Sequence, residues 1–254
     1  MLQEMRKLAI LILVICGGCA SEDGGVDFFG PGDGAAGVVG IAGSTSRFII
    51  KNNYLYIATD DRLKVLDLSS EDKSAEEVAS LPTLGDLETI FAFGNNLFIG
   101  AESGVYLYDI TNPASPEFLS RYEHQTACDP VIANQGFAYL TIRGGTDCRG
   151  ENVNRLITLN IADVENPEAV DTLDMISPRG LAFYENQLFV GEGIFGLKRF
   201  DLTVPYAPVL DTFYTNVPAN DMIALPQHLI VTQSQGIHQY GVAADSLNLL
   251  SVLK

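Results

Sequence analysis

The feature that most constrains the fold of this chain is a unit of about 42 residues that recurs five times. Each unit holds an apolar triplet, such as Leu97-Phe98-Ile99, followed by a turn and a second apolar run. The triplets begin at positions 55, 97, 138, 188 and 229, so the steps between them are 42, 41, 50 and 41 residues. Repeats of this length with several short strands each are typical of β-propeller blades. Helical repeats need apolar residues at i, i+3 and i+4, and no long stretch keeps that spacing.

The second unit predicts the strands of a blade. Its apolar runs, rich in β-branched and aromatic residues, are separated by Glu102-Ser103-Gly104 and end at Pro113 and Pro116, because proline cannot donate to a strand ladder. The predicted strands, from innermost to outermost, are Thr89 to Phe93, Leu97 to Gly100, Val105 to Ile110 and Glu117 to Tyr122. The third strand is apolar on both faces, as expected for a sheet packed between two neighbours. Five such units predict an all-β, five-bladed propeller of four-stranded antiparallel blades, near 46–87, 88–128, 129–178, 179–219 and 220–254.

These motifs resemble the LVIVD-repeat family of bacterial envelope lipoproteins. Asn96 to Gly100, Gly104 to Ile110 and Asn112 to Pro116 follow the family's order of a strand, a glycine turn, a second strand and an NPxxP segment. The resemblance covers about residues 46–254 and implies the propeller fold. It implies no activity, since few activities are assigned in the family. The first and last blades depart from it, because Ser74 and Asn248 stand where the second proline is expected.

The N-terminus has the pattern of an export signal. Arg6 and Lys7 precede an apolar core from Leu8 to Ile15, which is too short to span a membrane, and small residues follow up to Cys19. Gly18 before Cys19 suits a lipoprotein signal peptidase. We therefore predict a signal peptide over residues 1–18 and a palmitate-bearing lipid on Cys19, with ordinary secretion as the alternative. The predicted location is the cell envelope, as an outer-membrane lipoprotein that is either periplasmic or surface-exposed.

A glycine-rich, acidic segment over residues 19–45 separates this signal from the repeats. Its composition predicts a flexible tether, because it cannot bury enough apolar surface to order itself. Ser21-Glu22-Asp23 fits either an acidic export signal or an ordinary solvated linker. The apolar residues within 36–43 leave open whether this part adds a strand to the propeller.

Charge narrows the classes of partner. The net charge is −17, and removing residues 1–18 takes away Glu4, Arg6 and Lys7 and leaves −18. A body this acidic should not bind nucleic acid or anionic lipid electrostatically. The membrane is thus expected as a partner only through the N-terminal lipid, beside an unidentified envelope protein or small ligand.

Several residues imitate a catalytic or metal site. The recurring Asp67, Asp109 and Asp201 each precede a turn, where a carboxylate accepts backbone N–H groups, and they lack the ligand spacing of a calcium loop. His124 near Cys128 and Asp129 imitates a Cys–His nucleophile, but an exported thiol is expected to be oxidised. Gly191 to Gly196 predicts a strand turn, since no helix follows it. We predict no catalytic residue, metal or cofactor.

Cys128 and Cys148 are the other cysteines of the chain after the signal and Cys19. Cys128 lies just before the innermost strand of blade three, and Cys148 lies in the long loop after its second strand. Both connections lie on one face of a propeller, so we predict a disulfide, which the family resemblance also implies. It would stabilise the fold by roughly 3 kcal/mol in the chain-entropy model. Zinc is the lesser alternative.

A ring of polar residues is predicted at the mouth of the central channel. Nine positions before each triplet stands a polar residue that precedes an apolar innermost strand. The ring and its neighbours are Ser46, Arg47, Glu88, Asp129, Arg179, Asn220 and Asp221. The competing interpretation is that turns are polar for their own reasons.

The resulting prediction is a membrane-anchored, non-enzymatic binding module whose mouth holds a ligand or partner. One alternative is an envelope hydrolase or lyase with its site in the central funnel. The other is a structural subunit of an outer-membrane complex.

Overall fold

The described residues form five four-stranded antiparallel sheets that follow one another along the chain. The structure is a computed structural model and describes residues 44–72, 74–83, 85, 87–123, 130–144 and 153–254. Every sheet in this part of the chain is a meander in which each strand pairs with the next. The five sheets are the blades of a β-propeller, as the repeats predict. No helix that could span a membrane occurs among the described residues.

The strand bounds follow the repeats. Blade 1 contains β1 (Phe48–Lys51), β2 (Tyr54–Ala58), β3 (Arg62–Asp67) and β4 (Glu76–Pro82). Blade 2 contains β5 (Leu87–Phe93), β6 (Asn96–Ala101), β7 (Gly104–Asp109) and β8 (Glu117–Glu123). Blade 3 contains β9 (Val131–Asn134), β10 (Phe137–Arg143), β11 (Asn154–Asn160) and β12 (Glu168–Asp174). Blade 4 contains β13 (Leu181–Tyr184), β14 (Gln187–Gly191), β15 (Leu197–Asp201) and β16 (Val209–Tyr214). Blade 5 contains β17 (Asp221–Leu225), β18 (His228–Gln233), β19 (Gly236–Val242) and β20 (Leu247–Leu253).

The four strands predicted for blade 2 are confirmed to within two residues at each end. The glycine turn is also explained, because Gly104 has a φ of 148° and an added Cβ would lie 2.1 Å from the carbonyl oxygen of Tyr122. A side chain at this position would therefore collide with the outer strand.

Each blade has a register shift at the same place, between its third and fourth strands. The shifts fall at Val65/Leu66, Leu107/Tyr108, Thr158/Leu159, Arg199/Phe200 and Gln239/Tyr240. A bulge of this kind bends the strand and increases its twist. The outer strand of every blade is thus turned in the same way relative to the inner three.

The recurring aspartates close turns, which confirms their predicted structural role. The backbone amides of Ser69 and Thr203 each donate to the carboxylate two residues earlier at 2.7 Å, and Thr111 donates to Asp109 in the same way. Hydrogen bonds from these hydroxyl residues, first through the side chain and then through the amide, lower the pKa of each aspartate. Asn160 takes this position in blade 3.

The core lies between blades. One apolar cluster joins blades 1 and 2, a second joins blades 2, 3 and 4, and a third joins blades 4 and 5. Tyr56 and Tyr139 also bridge neighbouring blades, because their hydroxyls donate to the carbonyls of Pro113 at 2.9 Å and Pro205 at 2.8 Å. None of the three clusters, which contain only described residues, joins blade 5 to blade 1.

Blade 5 and blade 1 are instead joined by hydrogen bonds just ahead of β1. Ser44 and Thr45 both donate to the carboxylate of Asp221 at the start of β17. We call these three residues the clasp. Polar contacts therefore join blade 5 to blade 1, whereas each of the other four junctions between blades has an apolar core.

Candidate functional site

One face of the propeller carries the connections into the innermost strands and those between second and third strands. We call it the mouth face. Hydrogen bonds or ion pairs on this face involve five of the seven predicted ring residues, and the contacts form two groups. One group joins blades 1 and 2, and the other joins blades 4 and 5.

Arg47 and Ser46 make the first group. The guanidinium of Arg47 donates to the carbonyl of Leu87 at 2.6 Å and lies 2.7 Å from Asp60. The carbonyl of Ser46 accepts the amide of Ile90 at 2.8 Å, while its hydroxyl bonds within its own turn to Phe48. The bonds of Arg47 to Leu87 and of Ser46 to Ile90 join the two blades, and the remaining contacts lie within blade 1, so we assign this group a structural role.

Asp221 is the centre of the second group. Its carboxylate accepts from Ser44 and Thr45, and the hydroxyl of Ser44 accepts the amide of Leu181 at 2.6 Å. Gly180 makes room for it, since a Cβ there would lie 2.0 Å from the Asp221 carboxylate. Burial raises the pKa of Asp221, and the hydrogen bonds oppose that rise. Asn220 accepts the amide of Gly180 at 2.9 Å through its carbonyl.

Arg179 is held between these elements by its backbone. Its amide donates to Gly191 at 2.8 Å, and its carbonyl accepts the hydroxyl of buried Thr141 at 2.7 Å. Its side chain packs on Gly193, where an added Cβ would lie 2.6 Å from the guanidinium Nε. That Nε atom is buried and has no hydrogen-bond partner.

Arg143, which was not predicted as a site residue, lies beside Arg179. It follows Thr141 by two positions on β10, so both side chains project from the same face of that strand. Burial, and secondly the charge of Arg179, lower the pKa of Arg143. Two like charges are therefore held near each other on the mouth face. No sequence signal marks Arg143, because it stands at a strand end next to a loop of unusual length.

A buried ion pair supports the connection that carries Arg179. Glu192 is fully buried and lies 2.6 Å from the ammonium of Lys198, which is also buried. The same carboxylate accepts the amides of Ser177 at 2.6 Å and Ile176 at 3.2 Å. These bonds fix the connection two residues ahead of Arg179. Residues 191–196 thus form a turn between two strands, as the sequence predicts.

The tip of that turn is apolar and exposed. Ile194 is 76% exposed and Phe195 is 47% exposed, although turns are usually polar. Gly193 and Gly196, both with positive φ, flank them. Adjacent large apolar residues inside a glycine-bounded turn are a sequence signal that could have identified this surface.

Charge is distributed unequally between the two faces. Among the described residues in or beside the connections of the opposite face, buried Lys51 is the one lysine or arginine, and the acidic residues within these connections are Glu71, Asp72, Asp163, Glu165, Glu185 and Asp245. The arginines in or beside the mouth-face connections are Arg47, Arg62, Arg143, Arg155 and Arg179. The mouth face also carries acids, such as Asp60 and Asp174, so it is of mixed charge. Acidic partners are therefore repelled more strongly by the opposite face.

Several predicted residues lie outside the described part of the chain. They are Cys19, Asp129, His124 and the cysteines of the predicted disulfide, Cys128 and Cys148. Glu88 lies on β5 and has an interaction partner. Among the described residues, no group of three or more histidine, cysteine, aspartate or glutamate side chains could hold a metal ion.

The LVIVD repeat model matches residues 42–76 and 84–124, which cover most of blades 1 and 2. The resemblance based on Asn96 to Pro116 is thereby confirmed for the repeat, and the lipoprotein character stays a prediction. No curated protein sequence matches the chain.

Solved structures share the fold. A putative 6-phosphogluconolactonase from Bacteroides fragilis is 11% identical, with a TM-score of 0.64 over 80% of this chain and 68% of its own. The periplasmic gluconolactonase of Pseudomonas aeruginosa is 14% identical, with a TM-score of 0.63 over 79% of this chain and 67% of its own. BamB from Moraxella catarrhalis is 10% identical, with a TM-score of 0.56 over 75% of this chain and 56% of its own. At these identities the likeness extends to the fold alone.

Proposed function

We propose that this chain is a membrane-tethered propeller that binds another molecule of the cell envelope through its mouth face without chemically changing it. The observation that carries the proposal is the composition of that face. It combines the exposed Ile194 and Phe195 with neighbouring arginines, whereas the described connections of the opposite face are acidic. Aromatic residues and arginine are enriched in the central parts of protein interfaces.

The apolar turn is also rigidly supported. Glu192 and Lys198 pair beneath it, and the turn is bridged to Ala219, because the amides of Gly193 and Ala219 exchange hydrogen bonds with each other's carbonyls at 2.8 and 2.9 Å. A preorganised surface loses less conformational entropy on binding than a mobile one. The turn therefore suits a partner surface that has a complementary apolar pocket.

The point at which the predicted tether would join the propeller is also on the mouth face. Ser44, at the start of the described chain, is buried and bonded on the mouth face. Because Ser44 and Thr45 belong to the clasp, the tether predicted over residues 19–45 would end at residue 43 and leave from that face. A coil of that length spans roughly 25–30 Å on average. With a lipid on Cys19, the mouth face would then lie close to the membrane. Labelled palmitate should enter the parent protein and fail to enter Cys19→Ser.

The partner experiment is an affinity purification of the full chain from envelope membranes of the native host. The test variant is Ile194→Asp/Phe195→Asp. The control is Val204→Asp/Tyr206→Asp, which alters two exposed apolar residues of the same blade on the opposite face. We expect the test variant to lose the partner and the control to keep it. If both folded variants keep every partner at unchanged affinity, the mouth face is not the binding surface.

The second candidate function is hydrolysis of a lactone in the funnel. Its support is that two of the similar structures are named lactonases and that Arg143 and Arg179 could receive the carboxylate product. The test is the rate of glucono-δ-lactone hydrolysis relative to buffer. An enzyme should accelerate it by several orders of magnitude and lose that rate in Arg179→Gln. The third candidate is a structural subunit of an outer-membrane complex. Such a subunit would co-purify with the other subunits in stoichiometric amount, and its assembly would depend on Ile194 and Phe195.

A further inference from the structure

The arginine pair on the mouth face is a feature that the packing of the fold does not explain. Arg143 and Arg179 come from consecutive blades and are brought together by the bond of 2.7 Å from Thr141 to the carbonyl of Arg179. Neither guanidinium has a hydrogen bond or ion pair to a described residue. By contrast, Arg199 of blade 4 pairs with Asp211 and donates to Thr212.

The pair is also held in place by more than one contact. Thr141 is fully buried, and Arg179 is bonded through both its amide and its carbonyl. The absence of a side chain on Gly193 leaves the space that Arg179 occupies, and Gly193 has a φ of 58°, which favours glycine. Holding two partly buried like charges together is unfavourable unless an opposite charge completes the site.

The buried Nε of Arg179 indicates that the site accepts a ligand with a hydrogen-bond acceptor. A buried donor without an acceptor costs free energy, so such groups are rare unless a ligand or water satisfies them. Guanidinium groups present their N–H donors in a planar fork that matches two oxygens of a carboxylate or phosphate. The overall charge of −17 disfavours ligands with several negative charges.

We propose that Arg143 and Arg179 form a binding site for the carboxylate of a small organic acid or of a peptide C-terminus. This inference rests on the proposed function, because it names the ligand chemistry of the same mouth face. Arg179 supplies a fixed fork, and Arg143 supplies the second cation from the neighbouring blade.

The test uses the full mature chain and two matched probe pairs. The first pair is N-acetyl-Ala-Ala as the free acid and as the amide, which differ only in the carboxylate. The second pair is D-gluconate and inorganic phosphate at equal ionic strength. Binding is followed by calorimetry and by the arginine Nε–H resonances in ¹⁵N spectra. We expect saturable binding of at least one carboxylate, with no binding of the amide and weaker binding of phosphate.

Three variants locate the site. Arg143→Gln and Arg179→Gln should each weaken the carboxylate at least about tenfold, as expected for loss of a charge-assisted bond. Arg155→Gln is the control, because Arg155 is also on the mouth face and lies 3.8 Å from Asp174. It should change affinity less than about twofold. Gly193→Ala keeps both charges but displaces Arg179, so it should weaken binding as well; melting curves confirm that each variant is folded.

The outcomes separate this inference from the proposed function. The carboxylate site is overturned if no carboxylate binds, if the amide or phosphate binds as tightly, or if Arg155→Gln weakens binding as much as Arg179→Gln. In any of these cases, loss of the envelope partner in Ile194→Asp/Phe195→Asp would still support the mouth face as an interface. The opposite result is also informative. If the carboxylate binds as expected but Ile194→Asp/Phe195→Asp keeps every envelope partner, the arginine site is supported and the interface is overturned.

Discussion

The triplet Leu55-Tyr56-Ile57 of blade 1 and the triplet Leu97-Phe98-Ile99 of blade 2 occupy the same position in the repeat but differ in burial. All three residues of the blade 2 triplet are fully buried. In blade 1 only Tyr56, which faces blade 2, is buried, and its two neighbours are partly exposed. The difference arises because blade 2 has a neighbour on each face, whereas blade 1 packs apolar surface on one face.

Blade 5 shows the complementary pattern. In its triplet the outer residues, Leu229 and Val231, face blade 4 and are fully buried, while Ile230 is not. Its uncovered face is thus the one that would meet blade 1. Alternating residues in β1 give the same result, since Ile49 is 2% exposed and Ile50 is 54% exposed. We call this junction between blades 5 and 1 the seam.

The junctions between successive blades and the seam are therefore stabilised by different forces. Four junctions bury apolar side chains, which contribute about 1.5–3 kcal/mol for each large residue. The seam has the clasp of Ser44, Thr45 and Asp221, and a hydrogen bond contributes about 0.5–1.5 kcal/mol net. We therefore expect the seam to be the weakest junction of the described fold.

The largest expected effect is at the blade 1–blade 2 interface. Ile99→Ala should reduce the free energy of unfolding by about 4 kcal/mol, because it leaves a cavity in a closed core. Ile57→Ala, the same substitution at the equivalent position of blade 1, should cost about 1 kcal/mol. Urea titration of both variants measures the difference. Equal costs would contradict the open seam.

The clasp gives the next effect. Asp221→Ala removes the acceptor of Ser44 and Thr45 and should cost about 2 kcal/mol. Asp221→Asn keeps an acceptor without the charge and should cost less. Because burial raises the pKa of Asp221, its contribution is present below the unfolded pKa and is lost as pH rises through the folded pKa.

The measurement for the clasp is therefore the stability of the parent protein minus that of Asp221→Asn as a function of pH. This difference should fall as pH rises. A difference that rises with pH would mean that the carboxylate is stabilised in its charged form.

A smaller effect is expected at the hydroxyl that bridges blades 1 and 2. Tyr56→Phe leaves the ring in place and removes the bond to Pro113, so it should cost about 1 kcal/mol. Tyr139→Phe should cost a similar amount at the blade 3–blade 4 junction. Thermal unfolding of both variants tests this, and a cost confined to one of them would contradict the equivalence of the junctions.

The smallest effect is expected on the open side of β1. Ile50→Ala should change the free energy of unfolding by less than about 0.5 kcal/mol, as for exposed positions generally. Ile49→Ala, one residue away, is the control and should cost several kcal/mol. A cost above about 2 kcal/mol for Ile50→Ala would indicate that this face is covered in solution.

The candidate site could be predicted only in part. Arg179 and Asp221 follow from counting back from each triplet, because the repeat places equivalent residues at equivalent heights. Arg143 and Glu192 do not follow, since neither stands at a repeated position. Their importance arises from partners that the repeat does not mark. Arg143 lies beside Arg179 of the next blade, and Glu192 binds the amide of Ser177 and the ammonium of Lys198 across the turn.

The sequence by itself determined the number of blades, their four-stranded form, the strands of blade 2 and the turns capped by Asp67, Asp109 and Asp201. These depend on local chemistry: apolar runs of strand length, glycine and proline at the turns, and side chains that bond their own backbone. Which apolar faces are covered, and which polar residues meet at the mouth, was decided only by the tertiary structure. Burial depends on whether a neighbouring blade is present, and the same triplet is buried in blade 2 and partly exposed in blade 1 for that reason.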